Sequence, residues 1–344
     1  MKIKVASRGS KLALIQVKEI MHKLFSRKYL HEDQGPSYEI FKEYDNFEDA
    51  YEVRTITTKG DKLSALGKKQ FDKLNFISDI EKCLLDDDAD FAVHSAKDFP
   101  SEANKDLEYH IITNDGGALT LNDDILIFRS NLEPIFERSM KIGTSSLRRK
   151  MYAKQVLHAK NIHDLNGNID SRLNKLESGE FDCIVLSEAG IRRLYNQTIH
   201  IPEYKKELDK PIKNLNYKRL KSFPAVGQGR LLVQYKPDNR FAKILKDCFG
   251  SQDDYTGEIH SMRYFLNKIN ADCNSAIGFN AHDGGHSGRD SIFEGQVFGL
   301  SSFAEFRGWS EHSIDLAMEL AFEDFIKKGG KELLDEHNWY TFKY

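Results

Sequence analysis

Residues 90–100 read DFAVHSAKDFP, an apolar run that leads straight into His94, Ser95, Lys97 and Asp98 and stops at Pro100. A carboxylate, an ammonium and a hydroxyl gathered at one point can hold a charged ligand or move a proton. The bland alternative is a solvated turn in which Lys97 and Asp98 neutralise each other. Three other segments share a second design. ASRGS carries Arg8 and Ser10, GTSSLRR carries Thr144, Ser145, Arg148 and Arg149, and NGNIDSRL carries Arg172 beside Gly167. Backbone N–H groups at a helix start are partially positive and bind carboxylate or phosphate, to which serine and threonine hydroxyls add donors. Arginine offers such anions a two-pronged fork that lysine lacks. Any one of these segments is ordinary capping, but together they point to a polyanionic ligand.

Charge supports that direction locally. From Lys141 to Lys175 there are eight basic residues, against Asp164 and Asp170 alone; the lysines among them are read as a solvated helix face. Gly227-Gln228-Gly229 is a tight turn before an apolar strand, without the glycine spacing and following helix of a dinucleotide site, so no NAD is expected. His282 and His286 have metal-ligand spacing but sit among glycines, and no metal is expected there.

These residues need elements to hold them. Phe91 to Val93 reads as a short buried strand, which puts the polar cluster at a strand's C-terminal edge, where open α/β sheets bind ligands. Strand-then-helix order recurs: Ile3 to Ala6 before a helix after Ser10, Lys141 to Gly143 before a helix starting near Ser145 or Ser146, and again in FDCIVLSEAGIRRLY. Such βα repeats predict an α/β fold with helices on both sheet faces. Segments 28–52 and 59–75 are charged and weakly periodic, and read as surface loops or inserts. The last hundred residues differ. SIFEGQVFGL alternates as a strand, and a helix capped by Ser310, with Ile314, Ala317, Met318, Ala321, Phe322 and Phe325 on one stripe, ends at Gly329-Gly330. A small α+β domain is expected there.

The 344 residues exceed one ordinary core, so two or three domains are expected. A net charge of −3, from 50 basic and 53 acidic residues, gives no reason to expect nucleic acid. No apolar stretch is long enough to cross a membrane, and the N-terminus opens directly into a strand pattern. Four scattered cysteines without a C-x-x-C pair fit a reducing compartment. The cytoplasm is expected, or an organelle if a transit peptide has been removed. Cys83 and Cys183 lie in apolar surroundings typical of a core. Cys273, in NADCNSAIGF, has polar flanks and is read as accessible.

AVHSAKDFP, GTSSLRR, GNIDSRL, PAVGQG and the Cys273-x-x-x-Ile-Gly pattern, in this order over nearly the whole chain, resemble the porphobilinogen deaminase (hydroxymethylbilane synthase) family. The resemblance implies two α/β domains like type II periplasmic binding proteins flanking a cleft, and a small C-terminal α+β domain. Expected boundaries are 1–115 with 224–244, then 116–223, then 245–344. It further implies a dipyrromethane cofactor on Cys273 through a thioether, and head-to-tail joining of four porphobilinogens with loss of ammonia, ending in hydrolysis to hydroxymethylbilane. A monomer is expected, with neither nucleic acid nor membrane as partner.

Each porphobilinogen unit brings about two carboxylate charges at neutral pH, which accounts for the arginines. By motif position Asp98 is the catalytic carboxylate, stabilising the cationic azafulvene left when ammonia departs. Lys97, Ser95, Thr144, Ser145, Arg148, Arg149 and Arg172 fall to the cofactor; Arg8, Ser10, Arg193 and Gln228 fall to the substrate.

The chain departs from the family at Asn166, where arginine is usual before Gly167, and Arg230 is a candidate substitute cation. The cysteine loop lacks the usual preceding glycines and has Ala276 where proline is common. The segment after TKGD is irregular and long. Two alternatives stand beside the active enzyme: a deaminase impaired by Asn166, and a type II binding protein for an anionic small molecule. The latter would have no use for Asp98 together with Cys273.

Overall fold

A computed structural model describes residues 2–26, 41–58, 74–100, 103–112, 122–196, 212, 215–249, 257–272, 274–284 and 290–341. The strands in chain order are β1 Ile3–Arg8, β2 Tyr51–Ile56, β3 Phe91–Ser95, β4 Glu108–Ile112, β5 Asp124–Phe128, β6 Lys141–Gly143, β7 Asn161–His163, β8 Cys183–Ser187, β9 Tyr217–Arg219, β10 Leu231–Tyr235, β11 Ile277–His282, β12 Ser291–Phe298 and β13 Phe303–Ser310. They form two five-stranded sheets, β2-β1-β3-β10-β4 and β7-β6-β8-β5-β9, and a three-stranded sheet β11-β12-β13.

The two larger sheets repeat one plan. In each, three parallel strands are followed by an antiparallel one contributed from elsewhere in the chain: β10 beside β3 in the first, β5 beside β8 in the second. The chain divides into two compact units, residues 1–120, 189–212 and 229–255 in one, and 121–188, 213–228 and 256–344 in the other. The C-terminal sheet thus groups with the second five-stranded sheet.

In the first unit, strand alternation sorts side chains between two helices. Val5, Phe91, Val93, Leu231 and Val233 pack on Val17, Ile20, Met21 and Leu24 of the helix Lys11–Ser26. Ala6 and Ala92, one residue out of phase, face Ile80 and Leu84 of the helix Leu74–Leu85. Covering both faces demands continuous apolar strands, which is why Phe91 to His94 are all buried. Each fully buried Val, Leu, Ile or Phe contributes roughly 1.5–3 kcal/mol.

Part of the segment expected as surface insert belongs to this core. Phe41 is buried, and Tyr51 and Glu52 open β2, which pairs in register with β1 along its full length. β2 is an edge strand whose outward side is charged, so its YEVRTI pattern shows only half an apolar face. Residues 27–40 and 59–73 lie outside the described residues.

The C-terminal sheet packs on the helices Gly257–Lys268 and Ile314–Lys327 through stacked and edge-on rings of Phe265, Phe279, Phe293, Phe306 and Phe325. The cap of the second helix is Ser313, whose side chain accepts from Leu316 N–H, and not the expected Ser310. Ser310 ends β13 and accepts from the His312 and Ser313 N–H groups, so it shapes the turn before the cap. At Gly308 the strand meets that helix so closely that a β-carbon would lie 1.8 Å from Ala317 O.

Candidate active site

In the first unit β1 and β3 are parallel neighbours, so Arg8 to Ser10 and Ser95 to Asp98 leave the sheet at the same edge. Ser10 starts the helix Lys11–Ser26, accepting from Ala13 N–H at 3.3 Å. β10 enters at this edge, with Leu231 opposite Ser95 and Ala96 N–H donating to Arg230 O at 3.0 Å. Ala96–Asp98 is a single 3-10 turn carrying Lys97 and Asp98, both half-buried. Beyond it the buried Phe99 ring meets Tyr109 at 5.0 Å and His94 at 5.8 Å. Asp98 therefore sits between a paired strand and an anchored ring, a rigid mounting for a reacting carboxylate.

His94 lies behind this turn. Burial lowers its pKa to about 4, against the opposing pull of the nearby Gln234 amide and the Asp98 charge, so it is neutral at physiological pH. Gln234 in turn donates to the buried Glu81 at 2.8 Å. Arg193 is 5% exposed and forks onto Glu19 at 2.8 and 3.1 Å, with a third bond to Gly229 O. Burial lowers its pKa to about 10, which still leaves it charged at neutral pH. Arg193 is thus turned toward Glu19 within the fold.

In the second unit β6 ends at Gly143, followed by Thr144, Ser145 and the helix Leu147–Gln155, whose first residues have no side-chain cap from Ser146. Thr144 is buried. Ser145 Oγ donates to Asn166 Oδ1 at 2.8 Å and accepts from Leu165 N–H at 3.0 Å, so the amide standing where the family usually has arginine ties the two loops together. Asn168 caps the helix Ile169–Glu177, and Arg172 Nε donates to Gly167 O at 2.7 Å. These loops follow the parallel strands β6 and β7, hence share one edge.

Arg148 and Arg149 are 3% and 8% exposed and converge on Asp124, at 0%. Arg148 Nη1 and Nη2 reach its two oxygens at 2.6 and 3.3 Å; Arg149 Nε reaches Oδ1 at 3.0 Å. Gln228, also buried, donates from Nε2 to Asp124 and to Asn122 O, and accepts at Oε1 from both arginines. Burial by itself pushes a carboxyl pKa up, but the charges of Arg148 and Arg149 and the bonds from Arg148 and Gln228 outweigh it and hold Asp124 well below the usual range. Arg148 Nε is a buried donor with no hydrogen-bond partner.

The expected site residues therefore fall into two groups. Arg8, Ser10, Ser95, Lys97, Asp98 and Arg193 belong to the first unit, and Thr144, Ser145, Arg148, Arg149, Arg172 and Gln228 to the second. Cys273 lies outside the described residues. Beside it Asp272 accepts from Asn274 N–H at 2.8 Å and donates its own N–H to Ser275 Oγ at 3.0 Å. Sequence reasoning missed Asp124 and Glu19. Both had a signal: Asp124 abuts the apolar run ILIF, and Glu19 falls at helical spacing with Leu12, Ile15 and Ile20, on the face that the structure buries. His286 is outside the described residues, and among those described no group of three or more acidic, histidine or cysteine side chains could hold a metal.

Residues 3–243 match the family model described as "Porphobilinogen deaminase, dipyromethane cofactor binding domain". The chain belongs to the porphobilinogen deaminase family. Its relatives of that name include proteins of Nitratiruptor sp. (31% identical, covering 100% of this chain and 99% of the relative), Sulfurimonas denitrificans (31%, 97% and 96%) and Deinococcus radiodurans (31%, 97% and 98%). Among solved structures, the GluR0 ligand binding core aligns over 78% of this chain and 94% of its own at 9% identity, with a TM-score of 0.36, too distant to bear on the assignment. The deaminase is an enzyme of tetrapyrrole biosynthesis, a transferase that uses dipyrromethane. The second unit's donors fit such a group. Hydroxyls, an uncapped helix start, arginines and the unpartnered Arg148 Nε–H suit several carboxylates.

Proposed function

We propose that the chain joins four porphobilinogens head to tail, with Asp98 as the catalytic carboxylate and Cys273 as the thioether anchor. The observation that carries this reading is the mounting of Asp98, half-buried on a turn fixed by the Ala96–Arg230 bond and the Phe99 ring. When bound, the dipyrromethane supplies the free pyrrole α-carbon from which the product grows. Loss of ammonia from an incoming porphobilinogen leaves a cation, and a fixed carboxylate beside it lowers the barrier and can take and return a proton. Lys97, Ser95, Arg8 and Ser10, at the same strand edge, offer donors to the substrate's carboxylates.

Arg172 and the loop of Thr144 and Ser145 hold the cofactor's carboxylates, with the guanidinium as the main donor because Ser145 Oγ–H is already given to Asn166 and Thr144 is buried. Arg148 and Arg149, largely committed to Asp124 and Gln228, act from behind as a fixed positive field with few N–H groups to spare. Gln228 orients them, and Arg193 braces the first unit's edge through Gly229. No helix among the described residues is long and apolar enough to cross a membrane. We read the enzyme as a cytoplasmic monomer without nucleic-acid partners, on its near-neutral charge and bacterial relatives.

Asn166 favours one second reading, an impaired deaminase, because a neutral amide that bonds Ser145 cannot supply a guanidinium charge. Steady-state turnover of wild type and Asp98→Ala separates the two. An active enzyme that Asp98→Ala silences supports the first, and a folded wild type that binds porphobilinogen without turning it over supports the second.

A further inference from the structure

Asp124 has no exposed surface, so it cannot touch substrate or cofactor, yet four side chains donate to its carboxylate. Oδ1 accepts from Arg149 Nε, Arg148 Nη2 and Gln228 Nε2; Oδ2 accepts from Arg148 Nη1 and from Ser222 Oγ at 3.0 Å. A carboxylate has about four lone-pair positions, so this one is saturated. Arg148 Nη1 also donates to Phe223 O, and Gln228 Nε2 to Asn122 O. Residues 122–124 open this unit's first segment and residues 222–228 close its second, and one buried carboxylate ties both to the start of the helix Leu147–Gln155.

We propose that Asp124 is the positioning residue of the deaminase's anion site, acting through Arg148 and Arg149. The assignment rests on the deaminase reading above. A guanidinium is planar and its donors lie in a fixed fork, so fixing two of its nitrogens fixes where the rest of it points. Asp124 and Gln228 do this for both arginines at once. Placement within a fraction of an ångström is what separates a productive anion site from a merely positive one.

The test uses the full chain carrying its covalent dipyrrole, with loading read by intact mass and kinetics expressed per loaded molecule. Asp124→Asn keeps the shape and two acceptor or donor positions but loses the charge, and Asp124→Glu keeps the charge but moves it by one methylene. Both are expected to lower kcat at least tenfold per loaded molecule, and Ser222→Ala, which removes one bond to Oδ2, two- to fivefold. A structural role alone would lower the unfolding temperature and leave kcat and KM per loaded molecule unchanged. If Asp124→Asn folds and stays within twofold of wild type in both constants, the assignment is overturned. Should it not fold, Asp124→Glu and Ser222→Ala decide by the same limit.

A readout independent of turnover is the Nε–H signal of Arg149 in arginine-labelled protein. It should be protected from solvent exchange in wild type and lose that protection tenfold or more in Asp124→Glu or Asp124→Asn; unchanged protection in a folded variant contradicts the assignment. A wild type that neither carries dipyrrole nor turns over porphobilinogen would defeat the deaminase reading instead, and the exchange measurement would still decide the role of Asp124.

Discussion

Asp98 owes its place to its neighbours, so removing its carboxylate should cost chemistry and spare structure. Asp98→Ala is expected to melt within a few degrees of wild type and to lose turnover by at least a hundredfold, the ordinary worth of a positioned acid–base group. Near-normal turnover would take Asp98 out of the mechanism. Behind it, His94 makes a pH prediction. Its pKa falls on folding from 6.5 to about 4, so its contribution is complete above about pH 6.5 and fades as pH falls toward 4. Between pH 7 and pH 5 the fold should lose about 2 kcal/mol on this account. Denaturant unfolding of His94→Gln should show a shallower loss over the same window; an identical slope would mean that other groups carry it. The titratable groups near the ring are Asp98 and, through Gln234, Glu81. The strand end and turn that carry Asp98 were legible in the sequence because a polar cluster follows an apolar run before a proline. The partners of Arg148, Arg149 and Arg193 were not, because Asp124 and Glu19 meet them from 24 and 174 residues away. Arg230 stays a candidate substitute for the charge missing at Asn166, and unchanged enzyme-bound intermediates in Arg230→Ala would dismiss it.

Elements that begin or end on a local signal were readable. β3, the helix after Ser146 and the turn Gly227-Gln228-Gly229, with positive φ at both glycines, all follow from residues within a few positions of each other. The Ser310 cap was misplaced because Ser310 and Ser313 both precede the helix, and only the turn geometry chooses between them. Ser313→Ala should therefore cost about 1 kcal/mol of stability, as lost N-caps usually do, read by thermal or denaturant unfolding. Gly308 tests the packing of β13 on the helix Ile314–Lys327. Its missing β-carbon would meet backbone atoms, Ala317 O at 1.8 Å and Ala321 N at 2.3 Å, so neither neighbour can simply rotate away. Gly308→Ala should cost roughly 1–3 kcal/mol or more, and an unaltered melting temperature would contradict the close approach. β2 was missed for a different reason: an edge strand shows one apolar face, and charge on the other hid it.

For the whole molecule, repeated βα units announced an α/β fold, the family resemblance implied its division into two such domains, and the change of pattern near the C-terminus announced the small α+β part. What no local pattern contained was the placement of β10 beside β3 and of β5 beside β8, since pairing between strands so far apart in the chain leaves no periodic trace in either strand. The central proposal is that this deaminase carries its dipyrrole on Cys273 through a thioether. The most direct measurement is the intact mass of purified protein after incubation with porphobilinogen, beside Cys273→Ser. The account predicts an added mass equal to a dipyrrole in wild type and none in the variant. A folded wild type without the adduct, or a variant that still carries it, would contradict the account.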